Sequence, residues 1–208
     1  SSFIKKNKNN VTFILLLISI SILYGYPKII SSRPYSMHQW RQADCLSITM
    51  NYYKENRNFF EPAIHWIGDG KDGKTVSECP LIYFSVAQLW KLFGYHEYIF
   101  RLVNILIVFT GLFCLFRLII SIISEPFWSI IITMLLFTSP ILVYYTNNFT
   151  ANAPALGLAL IGCYFFWSAF KKQRKMLYIL AFVFFLFAGL IKISALISFI
   201  AILFIHAY

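Results

Sequence analysis

A long polar segment between two membrane-length apolar runs is the feature that most constrains this chain. The polar segment extends from Pro27 to Tyr98 and contains every acidic residue of the sequence except Glu125. The apolar runs on either side are long enough to cross a hydrocarbon core of about 30 Å. We therefore expect the polar segment, with nearly all the carboxylates, to lie at a membrane surface.

The composition excludes an ordinary soluble domain. Hydrophobic residues make up 59% of the chain and charged residues only 12%, which is typical of an integral membrane protein. Lys5, Lys6 and Lys8 precede the first apolar run and also fit a signal peptide. That run is long, however, and no cleavage site of small residues follows it. We therefore interpret it as a membrane span.

The apolar runs predict an all-α polytopic membrane protein in which residues 1–208 form one transmembrane module. The six predicted spans cover residues 11–30, 99–120, 127–145, 153–170, 176–191 and 193–208. Residues 27–98 form the outer loop of this module. The last two spans are short, and only Lys192 separates them.

Two basic clusters predict the topology. Lysine and arginine resist translocation, so residues 5–8 and 171–175 should both be cytoplasmic. Four predicted spans separate them, and this even number agrees with both assignments. The amino terminus is then cytoplasmic and the polar segment lies outside. The same clusters, facing anionic lipid headgroups, explain the net charge of +10 better than nucleic-acid binding does.

The polar segment is predicted to fold rather than to act as a linker. Residues 43–53 and 80–93 mix apolar, aromatic and polar side chains, as helices lying in the membrane interface do. The glycine-rich residues 68–74 predict a hairpin tip between residues 63–67 and 75–77.

The cysteines do not indicate a disulfide framework. Cys114 and Cys163 fall within predicted spans, where they are expected only to pack. Cys45 and Cys79 both lie in the polar segment. The sequence leaves two alternatives open: a disulfide bridge between Cys45 and Cys79, or two free thiols.

A series of short motifs resembles the bacterial branch of the dolichyl-phosphate-mannose protein mannosyltransferase family, which belongs to the C-type glycosyltransferases. The motifs, in order, are HQWRQAD (38–44), NFFEP and IHW (58–66), SECPLIY (77–83), LFGYHE and RLV (92–103), SP (139–140), residues 147–153 and LIK (190–192). The resemblance implies a polytopic enzyme that takes sugar from a polyprenyl-phosphate carrier on the non-cytoplasmic face. Such enzymes continue through further spans, so the chain is expected to be their amino-terminal half.

Two carboxylates match the catalytic positions of this family. Transfer to a hydroxyl needs a base, and the departing phosphate needs its charge balanced. The resemblance implies that Asp44 is the general base or a metal ligand, and that Glu78 holds a metal or orients the acceptor. The alternatives are that Asp44 caps the interfacial helix beside it and that Glu78 is a solvated loop carboxylate.

The expected phosphate ligands are Arg41, Arg101 and Lys192, since arginine offers a planar fork and lysine a compact charge. Snorkelling to the interface is the alternative for Arg101 and Lys192. Lys192 is the more suggestive of these two because it interrupts an apolar run, where a charge is costly. Gln42 and Asn152 complete the expected substrate-binding set.

Two positions depart from the family pattern. Asn152 stands where many relatives carry an acidic residue, so a metal or base ligand is missing there. His65 also replaces an acidic residue, and histidine could restore a ligand; the alternative is an ordinary loop residue. If a divalent metal ion is the cofactor, its expected ligands are Asp44, Glu78 and His65.

The sequence therefore favours a membrane glycosyltransferase of the bacterial inner membrane. It would move sugar from a polyprenyl-phosphate donor to a glycan, lipid or protein acceptor at the periplasmic face. The alternatives are a polytopic transporter or lipid flippase and a non-catalytic membrane scaffold. The carboxylate-rich loop favours the enzyme, whereas a transporter should show paired discontinuous helices and inverted repeats, which the sequence does not indicate.

Overall fold

The structure, a computed structural model, describes residues 2–65, 73–75 and 78–207, and its described elements are helical. The helices are α1 (Ser2–Leu23), α2 (Tyr26–Ile29), α3 (Gln39–Lys54), α4 (Leu81–Phe93), α5 (Glu97–Ile123), α6 (Pro126–Phe137), α7 (Pro140–Thr146), α8 (Asn152–Lys172), α9 (Lys175–Ile191) and α10 (Leu196–Ala207). A 3₁₀ turn, Ile193–Ala195, joins α9 to α10.

Two described helices, α5 and α8, are each long and apolar enough to cross a membrane alone. The pair α6 and α7 makes a third crossing if it counts as one bent span. Helices α1, α4, α9 and α10 are apolar but shorter over their described parts. The predicted all-helical membrane protein is thus confirmed, with two or three of the predicted spans identified by length.

Two predicted spans are broken rather than straight. The span predicted over residues 127–145 bends by 72° between α6 and α7. Pro140 starts α7, and a proline there has no N–H to continue the ladder of the preceding helix. The span predicted over residues 11–30 breaks where Gly25 adopts a left-handed conformation with φ 73°. Neither break was predicted from the sequence, because the residues on both sides of each break are apolar.

Small residues set the helix crossing between α5 and α8. A Cβ atom on Gly111 would lie 2.5 Å from the carbonyl oxygen of Gly157, and one on Gly157 would lie 2.9 Å from that of Ile107. Close contact between two helix backbones is typical of helix packing in membranes, where van der Waals contacts rather than the hydrophobic effect drive helix association. The packed pair α5 and α8 supports the polar segment.

The polar segment packs directly on the ends of the membrane helices. The two helices predicted in the polar segment are present as α3 and α4, although α3 begins at Gln39. Buried apolar side chains of both helices, including Tyr52 and Trp90, belong to one cluster with Phe149 of the α7–α8 connection and Ile191 of α9. This shared core holds the polar segment against the bundle.

The predicted hairpin is confirmed at its base. Ala63 and Lys74 form an antiparallel bridge, and the Ile64 amide donates to the Gly73 carbonyl at 2.9 Å. Gly73 has φ +71°, and a Cβ atom there would lie 2.5 Å from the Ile64 carbonyl oxygen. Glycine is therefore required at that position. The predicted tip between residues 66 and 72, and residues 76–77 of the return strand, lie outside the described residues.

Candidate active site

Helix α3 presents Arg41, Asp44, Cys45 and Ile48 on one face, because residues three or four apart share a face of a helix. These four side chains line a small cavity of about 50 Å³ together with Tyr83 of α4 and others. Cys45 and Ile48 are buried in the core shared with α4. Packing of Cys45 and Ile48 thus fixes the positions of Arg41 and Asp44 on the same face.

A cluster of three charged side chains lies beside this cavity. One oxygen of Glu78 accepts from Arg41 Nη2 at 2.5 Å, and the other accepts from Lys192 Nζ at 2.9 Å. Glu78 precedes α4, whereas Lys192 directly follows α9 and has an extended backbone between α9 and the 3₁₀ turn. Three elements that are distant in sequence therefore meet at one carboxylate, and two cations share one anion.

The two cations keep Glu78 ionised. Burial alone would raise its pKa, but the hydrogen bond from Lys192 and the charge of Arg41 outweigh burial, so the pKa of Glu78 lies below its ordinary value. Burial alone would lower the pKa of Arg41, but the charge of Glu78 and smaller contributions from neighbouring groups together outweigh burial, so the pKa of Arg41 is raised. The cluster therefore keeps one net positive charge.

Asp44 has the opposite electrostatic character. Partial burial raises the pKa of its carboxyl group above the ordinary value, and the charge of Arg41 opposes that rise only in part. Helix α3 begins at Gln39, so Asp44 lies inside the helix and does not cap it. The capping alternative is therefore wrong. A half-buried carboxylate with a raised pKa is better suited to accepting a proton than a solvated one.

Cys45 and Cys79 are free thiols, so the alternative of a bridge between them is wrong. Cys45 instead contacts the Tyr83 hydroxyl at 3.2 Å. Burial raises the pKa of the Cys45 thiol to about 11, which leaves it neutral and unreactive at physiological pH. This contact fixes the Tyr83 hydroxyl at the cavity wall, a position that the sequence did not indicate.

The expected metal ligands do not form a metal site. His65 Nδ1 lies 2.7 Å from the Ser47 hydroxyl, and both oxygens of Glu78 face cations. Among the residues that the structure describes, no group of three or more His, Cys, Asp or Glu side chains could hold a metal ion. Asp44, Glu78 and His65 therefore do not fit a divalent cation as they stand.

Arg101 lies at the start of α5 and is only 1% exposed. Its guanidinium donates to the carbonyl oxygens of Asn147 at 2.8 Å and Ser32 at 2.9 Å, and it lies 4.3 Å from the centre of the Phe149 ring. Arg101 therefore does not snorkel. It ties the polar segment to the connection between α7 and α8.

Gln42 is buried one residue from Arg41, on a different face of α3. Its amide donates to the carbonyl oxygens of Tyr35 and Met37 at 3.0 and 3.2 Å, and to the Tyr144 hydroxyl at 2.9 Å. These bonds hold the chain that leads into α3. Gln42 and Arg101 line a second cavity, which shares no lining residue with that of Asp44.

Asn152, the remaining expected substrate ligand, starts α8. It lines a third cavity, of about 250 Å³, with Ser139, Tyr145 and other residues. None of these residues belongs to the charge cluster or lines the Asp44 cavity. The structure therefore brings Arg41, Asp44, Glu78 and Lys192 together and leaves Asn152 elsewhere.

A buried layer of polar residues, which was not predicted from the sequence, lies between α5 and the α7–α8 connection. Asn104, one helical turn beyond Arg101, is fully buried and donates to the carbonyl oxygens of Asn148 and Thr150 at 2.8 and 2.9 Å. The available signal was an asparagine inside an apolar run, on the same helical face as an arginine. Polar groups placed so deeply are expected to serve either packing specificity or binding.

Comparison with known proteins gave a match to a family model. No curated protein and no solved structure matched the chain. The family model for dolichyl-phosphate-mannose-protein mannosyltransferase matches residues 77–208, a region that includes Glu78 and Lys192 but not α3. The match covers more than half of the chain and confirms the resemblance carried by the sequence motifs. The chain belongs to the dolichyl-phosphate-mannose-protein mannosyltransferase family.

Proposed function

We propose that this membrane glycosyltransferase moves a sugar from a polyprenyl-phosphate donor to a glycan, lipid or protein hydroxyl at the outer face of a bacterial inner membrane. The observation that carries the proposal is the meeting of Arg41 and Lys192 at Glu78, beside the half-buried carboxylate of Asp44. A phosphate site and a base are thus neighbours, as transfer from a lipid phosphate requires.

In the proposal, Arg41 and Lys192 bind the donor phosphate. Each already donates to an anionic oxygen of Glu78, so both cations are held in place before the donor arrives. A phosphate oxygen can accept from the remaining donors of each side chain. Preorganised donors of this kind stabilise the negative charge that collects on the leaving phosphate.

Asp44 is the proposed base. As the acceptor oxygen bonds to the anomeric carbon of the donor sugar, the bond from that carbon to the phosphate oxygen breaks. The bonding electrons leave with the phosphate, where Arg41 and Lys192 balance them, and the acceptor proton passes to the Asp44 carboxylate. The raised pKa of Asp44 favours this proton transfer.

The proposed topology has six crossings, made by α1, α5, the α6–α7 pair, α8, α9 and the last helix. At 17 residues, α9 is within the length range of about 17–25 residues for a span. The parity of these crossings puts Glu78 and Lys192 on one side, and they are in contact. It puts Asn10 and Arg117 on the other side, and they also form a hydrogen bond, of 3.0 Å. These contacts support the proposal.

The decisive experiment is turnover of a polyprenyl-phosphate sugar by the purified full-length protein carrying Asp44→Asn. We expect turnover to fall by orders of magnitude while donor binding is unchanged. Glu55→Gln is the matched control, since Glu55 is an exposed carboxylate near the end of the same helix, paired with Arg57. Equal turnover in both variants would remove Asp44 from the chemistry.

The bent α6–α7 pair favours one competing function, a lipid flippase, because interrupted spans are typical of transporters. Reconstitution of the protein in vesicles that carry a fluorescent polyprenyl phosphate distinguishes the two functions. A flippase would move the lipid between leaflets without an acceptor. The transferase would instead need an acceptor and release the free lipid phosphate.

A further inference from the structure

A fourth cavity, of about 360 Å³, lies between the carboxyl-terminal turns of α5 and α8 and one side of α10. Its wall is apolar, and the side chains that form it include Leu118, Ile122, Phe166, Trp167, Phe170 and Ile202. Ile122 is 53% exposed and Phe170 is 43% exposed, so this Trp167 cavity opens on the surface of the helical bundle. Its volume lies within the range of about 300–1,000 Å³ for small-molecule sites.

The Trp167 cavity is at the opposite end of α5 from the polar segment. Ile122 lies about 30 Å beyond Arg101 along this helix, at about 1.5 Å per residue. In the proposed topology this is the cytoplasmic end, so the cavity faces the inner leaflet of the membrane. A ligand in the Trp167 cavity is therefore separate from the proposed donor site.

A cation is held at the mouth of the Trp167 cavity. The Lys171 ammonium donates to the Ser121 carbonyl oxygen and lies 5.4 Å from the centre of the Trp167 ring. The Trp167 ring is itself fixed, because its indole N–H donates to the Ser121 hydroxyl at 2.7 Å. Lys171 is exposed, and an ammonium has further hydrogens to donate beyond the one used here. Lys171 is therefore positioned to bind an anion at the edge of an apolar site.

The mouth of the Trp167 cavity is strongly positive. Lys171 begins a basic run that continues with Lys172, Arg174 and Lys175, and all of these residues are exposed. Among the residues that the structure describes, none of the salt bridges includes any of them. Glu125 is the only acidic residue outside the polar segment, so positive charge is in excess at this end of the bundle. An apolar site with a positive mouth suits a ligand that has an apolar chain and an anionic head.

We propose that the Trp167 cavity binds an anionic glycerophospholipid of the inner leaflet. One acyl chain lies in the cavity against the Trp167 and Phe170 rings, and the lipid phosphate accepts from Lys171 and the neighbouring cations. Basic pockets between membrane helices on the cytoplasmic side bind anionic headgroups in this way. Tryptophan is enriched at the boundary between hydrocarbon and headgroups, so a lipid beside Trp167 has its phosphate at the depth of Lys171.

The test is native mass spectrometry of the full-length protein, purified free of lipid, with dioleoyl phosphatidylglycerol and dioleoyl phosphatidylcholine as the two probes. These lipids share acyl chains and differ in net charge. We expect phosphatidylglycerol to bind at least about tenfold more tightly, since each cation near an anionic headgroup contributes roughly a fivefold gain. Equal affinities would overturn the proposal, because the cavity would then not recognise the head. Failure of both lipids to bind would also overturn it and would show that the full-length chain covers the cavity.

Removal of the charge at the mouth tests recognition of the head. Lys171→Gln combined with Lys172→Gln should lower the affinity for phosphatidylglycerol by at least about tenfold, toward that for phosphatidylcholine. Lys28→Gln combined with Lys54→Gln is the matched control, because it removes the same charge from exposed positions of the polar segment. A preference for the anionic lipid that survives the loss of Lys171 and Lys172, or that falls equally in the control, would refute the site.

Obstruction of the cavity tests the place of the acyl chain. Leu118→Phe, which narrows the Trp167 cavity from α5, should weaken phosphatidylglycerol binding by at least about tenfold. Leu106→Phe is the matched control, since Leu106 is 62% exposed on the same helix and should leave binding unchanged. Ile122→Phe, at the exposed edge of the cavity, replaces Leu118→Phe if that variant does not fold. Wild-type affinity in a folded variant would place the lipid elsewhere and contradict the proposal.

Polyprenyl-phosphate binding, measured on the same variants, separates this site from the proposed donor site. Both lipids combine a phosphate with an apolar chain, but Lys192→Met should weaken only polyprenyl phosphate, and loss of Lys171 and Lys172 should weaken only phosphatidylglycerol. Polyprenyl-phosphate binding that depends on Lys171 would identify that lipid as the occupant of the Trp167 cavity and overturn the proposal. Phosphatidylglycerol binding that depends on Lys171 would support it whatever the outcome of the transfer assay.

Discussion

Replacing Lys192 with methionine should weaken binding of a polyprenyl phosphate without unfolding the protein. Lys192 directly follows α9 and donates to Glu78 at 2.9 Å. Methionine keeps most of the length of the side chain and tolerates an apolar environment, so packing should survive. The loss is one charged donor to the phosphate.

The magnitude follows from the surroundings of Lys192. A hydrogen bond to a charged group contributes about 1.5–3 kcal/mol. The Lys192 side chain is 39% exposed, so solvent screening favours the lower end of that range. Since about 1.4 kcal/mol corresponds to a tenfold change, we expect donor affinity to fall about tenfold. Lys192→Arg should retain part of the affinity, because charge is kept but geometry changes.

The assay is equilibrium binding of polyprenyl phosphate to the purified protein in nanodiscs. Lys175→Met, at the opposite end of α9, is the matched control. Adding Glu78→Gln to Lys192→Met should recover some affinity, because Arg41 then no longer shares its charge with a carboxylate. Equal affinities for wild type, Lys192→Met and Lys175→Met would refute the phosphate role of Lys192 and leave Arg41 as the remaining cation of the cluster.

Gly157→Leu should lower the free energy of unfolding by about 1–3 kcal/mol through overpacking, whereas Thr110→Leu, at an exposed position of α5, should have little effect; thermal unfolding in detergent measures both. Because the pKa of Glu78 is lowered in the folded protein, its stabilising contribution is fully present above the ordinary glutamate pKa and is lost as pH falls through the lowered value. The stability difference between wild type and Glu78→Gln should therefore vanish in strong acid, and a difference that persisted there would contradict the ion-pair explanation. In a background without native cysteines, an impermeant thiol reagent should label Phe60→Cys from outside and spare Gln173→Cys; the reverse pattern would overturn the proposed sidedness.

Local sequence signals predicted the helices of the polar segment and the position of the long spans well. The thickness of the bilayer sets the length of an apolar span, so a run such as that of α8 is visible in the sequence alone. The helices α3 and α4 are likewise visible from the pattern of a few neighbouring residues. Lys192 was also predictable as a functional candidate, because a charge inside an apolar run is costly. These features depend on short stretches of sequence.

Features that depend on tertiary contacts were not predictable. The partner of Lys192 is a carboxylate 114 residues away, and no local pattern encodes that pairing. Arg101 was expected to bind phosphate or to snorkel, yet two of its guanidinium nitrogens donate to carbonyl groups of two distant loops. The bend before Pro140 also went unrecognised, because apolar residues continue on both sides of the break.

The separation of Glu78 and Lys192 along the chain has a consequence for biosynthesis. Their 114 residues take about 6–23 s to synthesise at roughly 5–20 residues per second. During that interval α3 and α4 can already pack and pair Arg41 with Glu78, while the second cation has not yet left the ribosome. Helices α3 and α4 can therefore associate before α9 exists, and Lys192 joins the charge cluster only after α9 has been synthesised.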